Sequence, residues 1–341
     1  MALLLERSQV GKREDLADFL AIADMKNTPL ISQAAKGSKL CNSLFEWVAE
    51  GYRNPTVAAH VDGDDLVLGD HNNHSDSRKL LQSRVHFFLE PFGVSYLAQD
   101  LSDPAGVGKK KEFAHNAAKA LTVIKRAMEA VACGDNESQA DNGTVGHEMR
   151  SLGKYIQNGA QSDLPIDASF RTPADQIYSG TWTNFVADPE TKLNNILEAR
   201  YNATGETPVL TCLAGSQLRR QFSLMANYDP GVTTTKASLR TFNQDANGKK
   251  IVNTIDIYQG DFGTVEIMPT VWNAYDSGDA DTQQRRGYIL DMEGIELRYN
   301  QMPEMVELED KGGGQRGFWR TVAGLCVKNP LQQAKIAVSG S

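Results

Sequence analysis

A single long amphipathic helix is the clearest pattern in this sequence of 341 residues, and it limits the folds that the chain can adopt. Over residues 113–131 the apolar side chains recur every three or four positions, whereas Lys119, Arg126 and Glu129 fall outside this stripe. The stripe consists of Phe113, Ala117, Ala120, Leu121, Ile124, Met128 and Val131. Gly134 supplies a C-terminal stop. At about 1.5 Å per residue the pattern predicts a rod of about 30 Å, whose apolar face must pack against other elements.

Strand patterns on both sides of this helix predict a mixed α+β fold. Residues 84–90 alternate at the period of a strand. One face carries Val85, Phe87 and Leu89, and the other carries His86, Phe88 and Glu90. Further strands are predicted at 57–61, 65–68, 208–213, 251–258, 264–268, 288–299 and 318–327, the last two joined across Gly312–Gly314. Further helices are predicted at 148–157, between an Asp188 N-cap and Gly205, and at 216–224.

Two segments have little core of their own. Residues 15–23 form a short amphipathic helix that Pro29 prevents from continuing. The run from Gly69 to Ser77 is polar throughout and rich in turn residues, which predicts an exposed tip on a long hairpin. Such segments must pack on another part of the molecule or on a neighbouring one.

Length and charge exclude several classes of protein. A chain of this length with 40% hydrophobic residues can form two compact units. The 35 basic and 43 acidic residues give a net charge of −8, which disfavours a dedicated DNA-binding protein. No apolar run approaches the ~20 residues that span a bilayer, and the first residues are too short for a signal peptide. We therefore expect a soluble protein, made in the cytoplasm, with no membrane partner.

The four cysteines are far apart and suggest neither a metal site nor a disulfide framework. They are Cys41, Cys133, Cys212 and Cys326. With no Cys-x-x-Cys pair, they are expected to be small buried apolar side chains in a reducing compartment.

No motif in the chain assembles a catalytic or cofactor site. Gly106–Lys109 lacks the full phosphate-loop pattern. The lysines at 109–111 fit solvated charge before the long helix, although their place at its positive end favours an anionic neighbour. A metal site could be suggested by a cluster of carboxylates and imidazoles in this hairpin, which consists of Asp62, Asp64, Asp65, Asp70, His71 and His74. A solvated hairpin tip is the more common origin of such a run. We expect no enzyme activity, no cofactor and no metal.

Motifs along the whole chain resemble one group of tailed-phage major capsid proteins with the Hong Kong 97-like fold. The resemblance is carried by short segments in the same order. They are Arg13–Ile22, Thr28–Ser32, Phe45–Trp47, Gly93–Ser95, the long helix, Asp261–Val265 and Lys328–Ala334. It implies an N-terminal arm at 1–50, an extended loop hairpin at 51–98 and a peripheral domain with a spine helix at 99–183. An axial domain at 184–284 and return strands of the peripheral domain at 285–341 would follow.

The resemblance also implies a function and partners. The chain would assemble as hexamers and pentamers into an icosahedral virion shell that encloses phage double-stranded DNA, inside the cytoplasm of a bacterial host. Portal protein would be a partner. Because the resemblance begins within the first 15 residues, a separate scaffolding protein is expected instead of a fused, cleaved extension.

Seven residues are candidate contacts between subunits, and two other functions stay open. In the family the arm and the hairpin reach neighbouring subunits, although packing on the chain's own domain is the simpler alternative. The candidates are Asp15, Phe19, Trp47, Asp70, His71, His74 and Lys79. Lys79 is also a candidate donor for an isopeptide cross-link by position alone. The alternatives are an encapsulin-like compartment shell and a soluble α+β enzyme with an unrecognised site.

Overall fold

The computed structural model describes residues 27–52, 77–101, 107–225 and 256–338, with positions 55, 57, 59, 61–63 and 65. The predicted arm helix at 15–23, the hairpin tip at 69–76 and parts of the predicted strands at 57–61, 65–68 and 251–258 lie outside these residues. The described chain mixes helices and sheets, as the sequence predicts.

The elements follow one another in mixed order. The helices are α1 (Pro29–Gln33), α2 (Tyr96–Leu101), α3 (Glu112–Ala132), α4 (Leu152–Tyr155), α5 (Trp182–Ala187), α6 (Pro189–Thr204), α7 (Ser216–Leu224) and α8 (Ala280–Arg285). The strands are β1 (Ala35–Lys36), β2 (Leu44–Ala49), β3 (Lys79–Arg84), β4 (His86–Val94), β5 (Ile177–Tyr178), β6 (Val209–Ala214), β7 (Ile257–Gly260), β8 (Gly263–Pro269), β9 (Gly287–Leu290), β10 (Ile295–Glu307), β11 (Gln315–Val327) and β12 (Ala334–Ile336).

Internal contacts divide the chain into two compact units. The smaller unit includes Leu89–Ile124 and Pro303–Arg320. The larger unit includes Asn27–Phe88, Lys125–Met302 and Thr321–Ser341. Three sheets are present in the described residues, with strand orders β1-β10-β11-β4, β5-β12-β9-β6-β8-β7 and β2-β3.

The six-stranded sheet forms the main core of the larger unit. Every residue of strand β6 after Val209 is buried, and all of them except Thr211 are apolar, as expected for a strand covered on both faces. It pairs parallel with β8 and antiparallel with β9. Helices α5, α6 and α7 contribute Phe185, Leu197 and Phe222 to the same buried cluster, and β12 adds Ile336.

Helix α6 has the ends that its sequence predicts. The Asp188 side chain accepts a hydrogen bond from the Thr191 N–H at 3.2 Å, and Pro189 occupies the first turn. At the other end Gly205 adopts a left-handed conformation with φ of 71°. Both predicted boundaries are confirmed.

The long helix is confirmed as α3, but the predicted burial of two residues is wrong. Ile124 and Met128 are buried as expected, whereas Leu121 is only partly buried. Glu129, expected off the apolar stripe, is fully buried. The buried face widens near the end of the helix because Ala132 and Cys133 are also buried. The carboxylate of Glu129 is tolerated in this buried position because backbone N–H groups donate hydrogen bonds to it. Helical periodicity cannot reveal such donors.

The strand predicted at 84–90 is instead two strands, β3 and β4, separated by Val85. Val85 and Phe88 are buried, while Phe87 and Leu89 are about half exposed. Phe87 and Leu89 therefore share one face of β4, as predicted, but Val85, which was assigned to the same face, does not share their exposure. Both faces of this strand carry apolar side chains, so alternation could not identify the buried one. The antiparallel partner of β3 is β2, which the sequence did not indicate as a strand.

The helix predicted at 148–157 is also wrong in length, since only α4 is helical. The backbone just before α4 and in its first turn bonds to the segment after α3: the Ser151 N–H donates to the Asn136 carbonyl and the Gly153 N–H to the Gly134 carbonyl. A Cβ on Gly153 would meet Asp135, so this close approach requires glycine. Tertiary hydrogen bonds thus replace helical ones over the first half of the predicted helix.

Candidate inter-subunit contact surfaces

Two of the seven candidate contact residues are described, and the structure places both on the ribbon formed by β2 and β3. They are Trp47 and Lys79. Asp15, Phe19, Asp70, His71 and His74 lie outside the described residues. The ribbon pairs Leu44–Ala49 with Lys79–Arg84 in antiparallel register. The connection between the two strands therefore starts and ends at the paired residues Ala49 and Lys79.

Trp47 fastens the ribbon to the chain's own larger unit. Its ring stacks on Phe45 with centroids 5.8 Å apart, and its indole N–H donates to the Lys328 carbonyl at 3.1 Å. The Lys328 ammonium in turn lies 2.7 Å from a Glu296 oxygen. That hydrogen bond, with a second from Arg298, holds the pKa of Glu296 below its usual range. Trp47 therefore already has partners within its own chain.

The opposite face of the ribbon is apolar at its centre and exposed. Val48 lies directly opposite Leu80, and the two side chains are 59% and 51% exposed. At one end of this pair Glu50 and Arg78 form an ion pair of 2.9 Å. Cross-strand neighbours of this kind stabilise a ribbon but leave half of the apolar surface in water. A two-stranded ribbon that carries such a face is a suitable surface for a neighbouring molecule.

Lys79 lies beside a carboxylate of its own unit. Its ammonium is 3.9 Å from an Asp167 oxygen, and both side chains are about 40% exposed. The pKa of Asp167 is lowered mainly because the Ser169 hydroxyl and N–H donate to the same carboxylate, with a smaller contribution from Lys79. At this distance and exposure the pair contributes little stability, so Lys79 is available for other contacts.

The strongest anchor of the N-terminal region is Glu129, which the sequence did not identify. Its two carboxylate oxygens each accept a backbone hydrogen bond at 2.8 Å, one from the Leu30 N–H and one from the Ile31 N–H. Burial raises the pKa of Glu129 to about 7, against the opposing effect of these hydrogen bonds and of the Cys133 thiol. The only local indication in the sequence that position 129 is buried is the small apolar residue Cys133, four positions further along on the same side of the helix.

A second contact fixes the same entry point. The indole N–H of Trp272, a buried residue, donates to the Asn27 carbonyl at 2.7 Å. The Arg126 guanidinium lies 5.4 Å from the centre of the Trp272 ring. Glu129 and Trp272 therefore fix the position of residues 27–31 in the larger unit.

Buried cations stiffen the region after α3. Arg150 is fully buried, with its Nε 2.7 Å from a Glu137 oxygen and one terminal nitrogen 2.8 Å from the Leu164 carbonyl. Its guanidinium also lies 5.3 Å from the centre of the Tyr155 ring. Lys335 donates to the Gly153 carbonyl at 2.6 Å, and burial lowers the pKa of Lys335 to about 8. These contacts hold irregular backbone in place without helix or sheet.

The cysteines follow the prediction with one exception. Cys133, Cys212 and Cys326 are buried and unpaired, whereas Cys41 is exposed. Burial raises the pKa of the Cys212 thiol to about 12, as expected for an unreactive side chain. Within the described residues no group of three or more His, Cys, Asp or Glu side chains is placed to hold a metal ion. None of the described helices combines the length and apolar character needed to cross a membrane.

The chain is similar in structure to capsid proteins of several phages. The subunit of the cyanophage A-1(L) capsid is 13% identical, with a TM-score of 0.59 over 98% of this chain and 99% of that one. The cyanophage Pam1 capsid subunit is 12% identical, with a TM-score of 0.57 over 99% of each chain. The mature capsid subunit of bacteriophage PhiM1 is 10% identical, with a TM-score of 0.58 over 99% of this chain and 95% of that one.

These comparisons agree with the sequence motifs. At such identities the structural likeness establishes the fold, and that fold is the Hong Kong 97-like capsid fold. No curated protein sequence gives a significant match. The sequence model of the SU10 major capsid protein family matches residues 5–339, nearly the whole chain. This match favours a virion shell over a compartment shell or an enzyme. The chain belongs to the SU10 major capsid protein family, and it is a structural protein of the bacteriophage virion that assembles into the capsid shell.

Proposed function

We propose that this protein assembles as hexamers and pentamers that close into an icosahedral shell around packaged double-stranded DNA. The observation that carries the proposal is the family match over residues 5–339, because it covers the arm, the hairpin and the compact units together. Many modest contacts, each repeated around a closed shell, give a stable particle without any one tight interface.

The proposed domains follow one another along the chain, and each has its own part in the shell. Residues 1–50 form an arm, 51–98 an extended loop, 99–183 and 285–341 a peripheral domain with its spine helix α3, and 184–284 an axial domain. Support for the arm comes from Glu129 and Trp272, which fix its point of entry at Asn27 and Leu30. A firmly held base allows the preceding segment to reach a neighbouring subunit.

The proposed contacts between subunits are the seven candidates named above together with the exposed ribbon face. Of these, Lys79 and the pair of Val48 and Leu80 are supported by their exposure. Trp47 has a structural role in its own chain and supports contacts indirectly, by holding the ribbon in position.

The proposed partners outside the shell are a portal protein, a separate scaffolding protein and DNA. A net charge of −8 supports enclosure of DNA without specific contacts, because no overall attraction draws the chain to phosphate groups. Assembly is proposed to occur in the cytoplasm of a bacterial host before the DNA is packaged.

Expression in bacteria, alone and with the neighbouring phage genes, tests the proposal. We expect shells or capsomers that sediment far faster than a monomer, and electron micrographs that show five- and six-fold capsomers. Assembly only in the presence of a co-expressed neighbour would identify the scaffolding protein. A chain that stays monomeric under every condition contradicts the proposal.

The exposed ribbon pair gives a sharper second test. Val48→Ser combined with Leu80→Ser should leave the melting temperature of the unassembled subunit nearly unchanged, because both side chains already face water. The yield of shells should fall. Phe45→Ser is the matched control on the buried face of the same strand, and it should damage folding itself.

A further inference from the structure

The smaller unit carries two surfaces of opposite charge, each with an exposed apolar centre. The first, called the basic face, consists of α2 with the lysines at 109–111. The second, called the acidic face, consists of the end of β10 and the turn after it, Pro303–Lys311. All of these residues belong to the same compact unit.

The basic face combines three lysines with an exposed apolar side of helix α2. Leu97 and Leu101, four residues apart in α2, are 72% and 75% exposed, and α2 has no buried residue at all. On its other side Gln99 holds α2 to the start of α3, since its amide donates to the Lys110 carbonyl at 2.7 Å and its oxygen accepts from the Phe113 N–H at 3.2 Å. The apolar pair therefore lies on a fixed helix, beside the lysines.

The lysines are badly placed for the stability of a lone subunit. Lys109, Lys110 and Lys111 are exposed and directly precede α3, a helix of 21 residues whose N-terminus is the positive end of its dipole. With the following Glu112 they give this end a net charge of +2. No ion pair joins these lysines to another of the described residues.

The acidic face has the complementary composition. Residues 303–311 contain four acidic side chains and one lysine, a net charge of −3, and Glu307 and Glu309 are both exposed. Met305 and Leu308 add apolar surface at 37% and 49% exposure. Over Pro303–Glu307 no strand of the described chain pairs with the side of β10 that faces away from β11. An exposed strand edge of this kind is a ready surface for another chain.

The two faces are held next to each other in one subunit. Glu307, Leu308 and Asp310 line a cavity of about 270 Å³ together with Tyr96 and Phe113. The Tyr96 hydroxyl donates to the Asp310 carboxylate, and the Leu308 N–H donates to the Arg316 carbonyl at 2.9 Å. The basic face and the acidic face therefore hold fixed positions relative to each other within the smaller unit.

We propose that these faces dock between copies of this chain, the basic face of one subunit on the acidic face of the next. Leu97 and Leu101 pack against Met305 and Leu308 at the centre, and the lysines meet Glu307 and Glu309 at the rim. An apolar centre with a charged rim is the usual composition of a specific interface, and opposite charges set its register and direction. The proposal rests on the proposed assembly into hexamers and pentamers and names one contact within it.

Charge reversal in matched pairs tests this contact. Variant one carries Lys109→Glu and Lys111→Glu, so both its faces are acidic. Variant two carries Glu307→Lys and Glu309→Lys, so both its faces are basic. We expect each variant alone to fold, with a melting temperature close to the parent, and to lose about tenfold or more in shell yield at ~0.1 M salt. In an equimolar mixture the contacts between unlike variants again join opposite charges, so six-membered capsomers of alternating variants should form. A ring of five cannot alternate two variants throughout, so complete shells are expected only from the fourfold variant described next.

Two further proteins complete the experiment. A chain with all four substitutions restores opposite charges in each subunit and should assemble alone. Lys119→Glu with Lys125→Glu changes the charge by the same amount elsewhere on α3, where both lysines are exposed, and should assemble like the parent.

The outcomes separate this inference from the proposed function. If the parent assembles and both reversed variants do so equally well, the docking contact is wrong although the shell function stands, and the acidic residues serve only to protect a strand edge. If the variants fail but neither the mixture nor the fourfold variant recovers, or if the control fails equally, net charge and not this contact is responsible. If the parent itself never assembles, the proposed function fails first.

Discussion

Glu129 on α3 binds the backbone of Leu30, 99 residues earlier in the chain, with a carboxylate oxygen 2.8 Å from the Leu30 nitrogen. Both residues are almost completely buried. The contact closes the first turn of α1, where backbone N–H groups have no partner within the helix. It ties α1 to α3 within the larger unit.

Glu129 makes the stability of the subunit depend on pH. Its pKa of about 7 in the folded protein lies above its ordinary value of 4.5. The folded state therefore holds a proton that the unfolded state loses first, so the stabilisation is complete below pH 4.5 and is lost as pH rises to 7. By this linkage the loss is on the order of 3 kcal/mol. The free energy of unfolding of the parent, minus that of Glu129→Gln, should fall across this range. Other carboxylates cancel in this difference, and a flat difference contradicts the buried titration.

Arg150 should tolerate no replacement. Arg150→Met leaves the carboxylate of Glu137 and the Leu164 carbonyl without their donor, which should cost roughly 3–5 kcal/mol in the free energy of unfolding. Arg150→Lys should recover little, because an ammonium cannot reach these acceptors in the same fork geometry. The control is Arg78→Met, whose ion pair with Glu50 is exposed and whose loss should change stability by under about 0.5 kcal/mol. Denaturant melts of the unassembled subunit measure both, and equal effects contradict the assigned burial.

Along α3 the loss of stability caused by a charged substitution should follow the burial of the position, and not the three- and four-residue spacing of the apolar stripe alone. Ile124→Asp places an uncompensated charge at a position that is 1% exposed, and it should cost several kcal/mol and prevent soluble folding. Leu121→Asp should be milder, because Leu121 is only partly buried. Lys119→Asp should be tolerated. The yield of soluble protein and circular dichroism rank the three, and any other order would show that the buried face is misplaced.

Gly215, which precedes α7, should be irreplaceable for reasons of space. A Cβ at this position would overlap the backbone carbonyls of Gln283 and Gln284, which cannot move without displacing α8. Gly215→Ala should therefore destabilise by roughly 1–3 kcal/mol or more. Gly159→Ala is the matched control, since Gly159 is exposed and a Cβ there meets nothing within 4 Å. Thermal melts of the two proteins side by side test the pair, and similar melting temperatures count against the close approach.

The elements that the sequence predicts well carry their determinants locally. Helix α6 is bounded by Asp188 and Gly205, and each acts through hydrogen bonds within a few residues of itself. Helix α7 was predicted at its observed bounds because its period and its flanking glycine are both local. The mixed fold class and the family resemblance likewise followed from short segments in order.

What the sequence could not reveal depends on partners far away in the chain. The burial of Glu129 depends on the N–H groups of Leu30 and Ile31, and the missed strand β2 is held by β3 some 35 residues later. Phe87 and Phe88 are chemically identical, so only the packing of the sheet decides which one is exposed. Among the contact candidates, the indole N–H of Trp47 binds the Lys328 carbonyl, 281 residues away, and no local pattern records that bond.

The position of β12 has a consequence for how new subunits enter particle formation. This strand lies inside the six-stranded sheet, between β5 and β9, yet the ribosome makes it after every other strand of that sheet. Until Ala334–Ile336 emerge, the edge of β9 stays open and Ile336 is missing from the core. A chain interrupted earlier in translation therefore lacks an interior strand of this sheet. Such a chain should be degraded instead of being incorporated into a shell. Translation beyond Ile336 is therefore a requirement for a subunit that can join a shell.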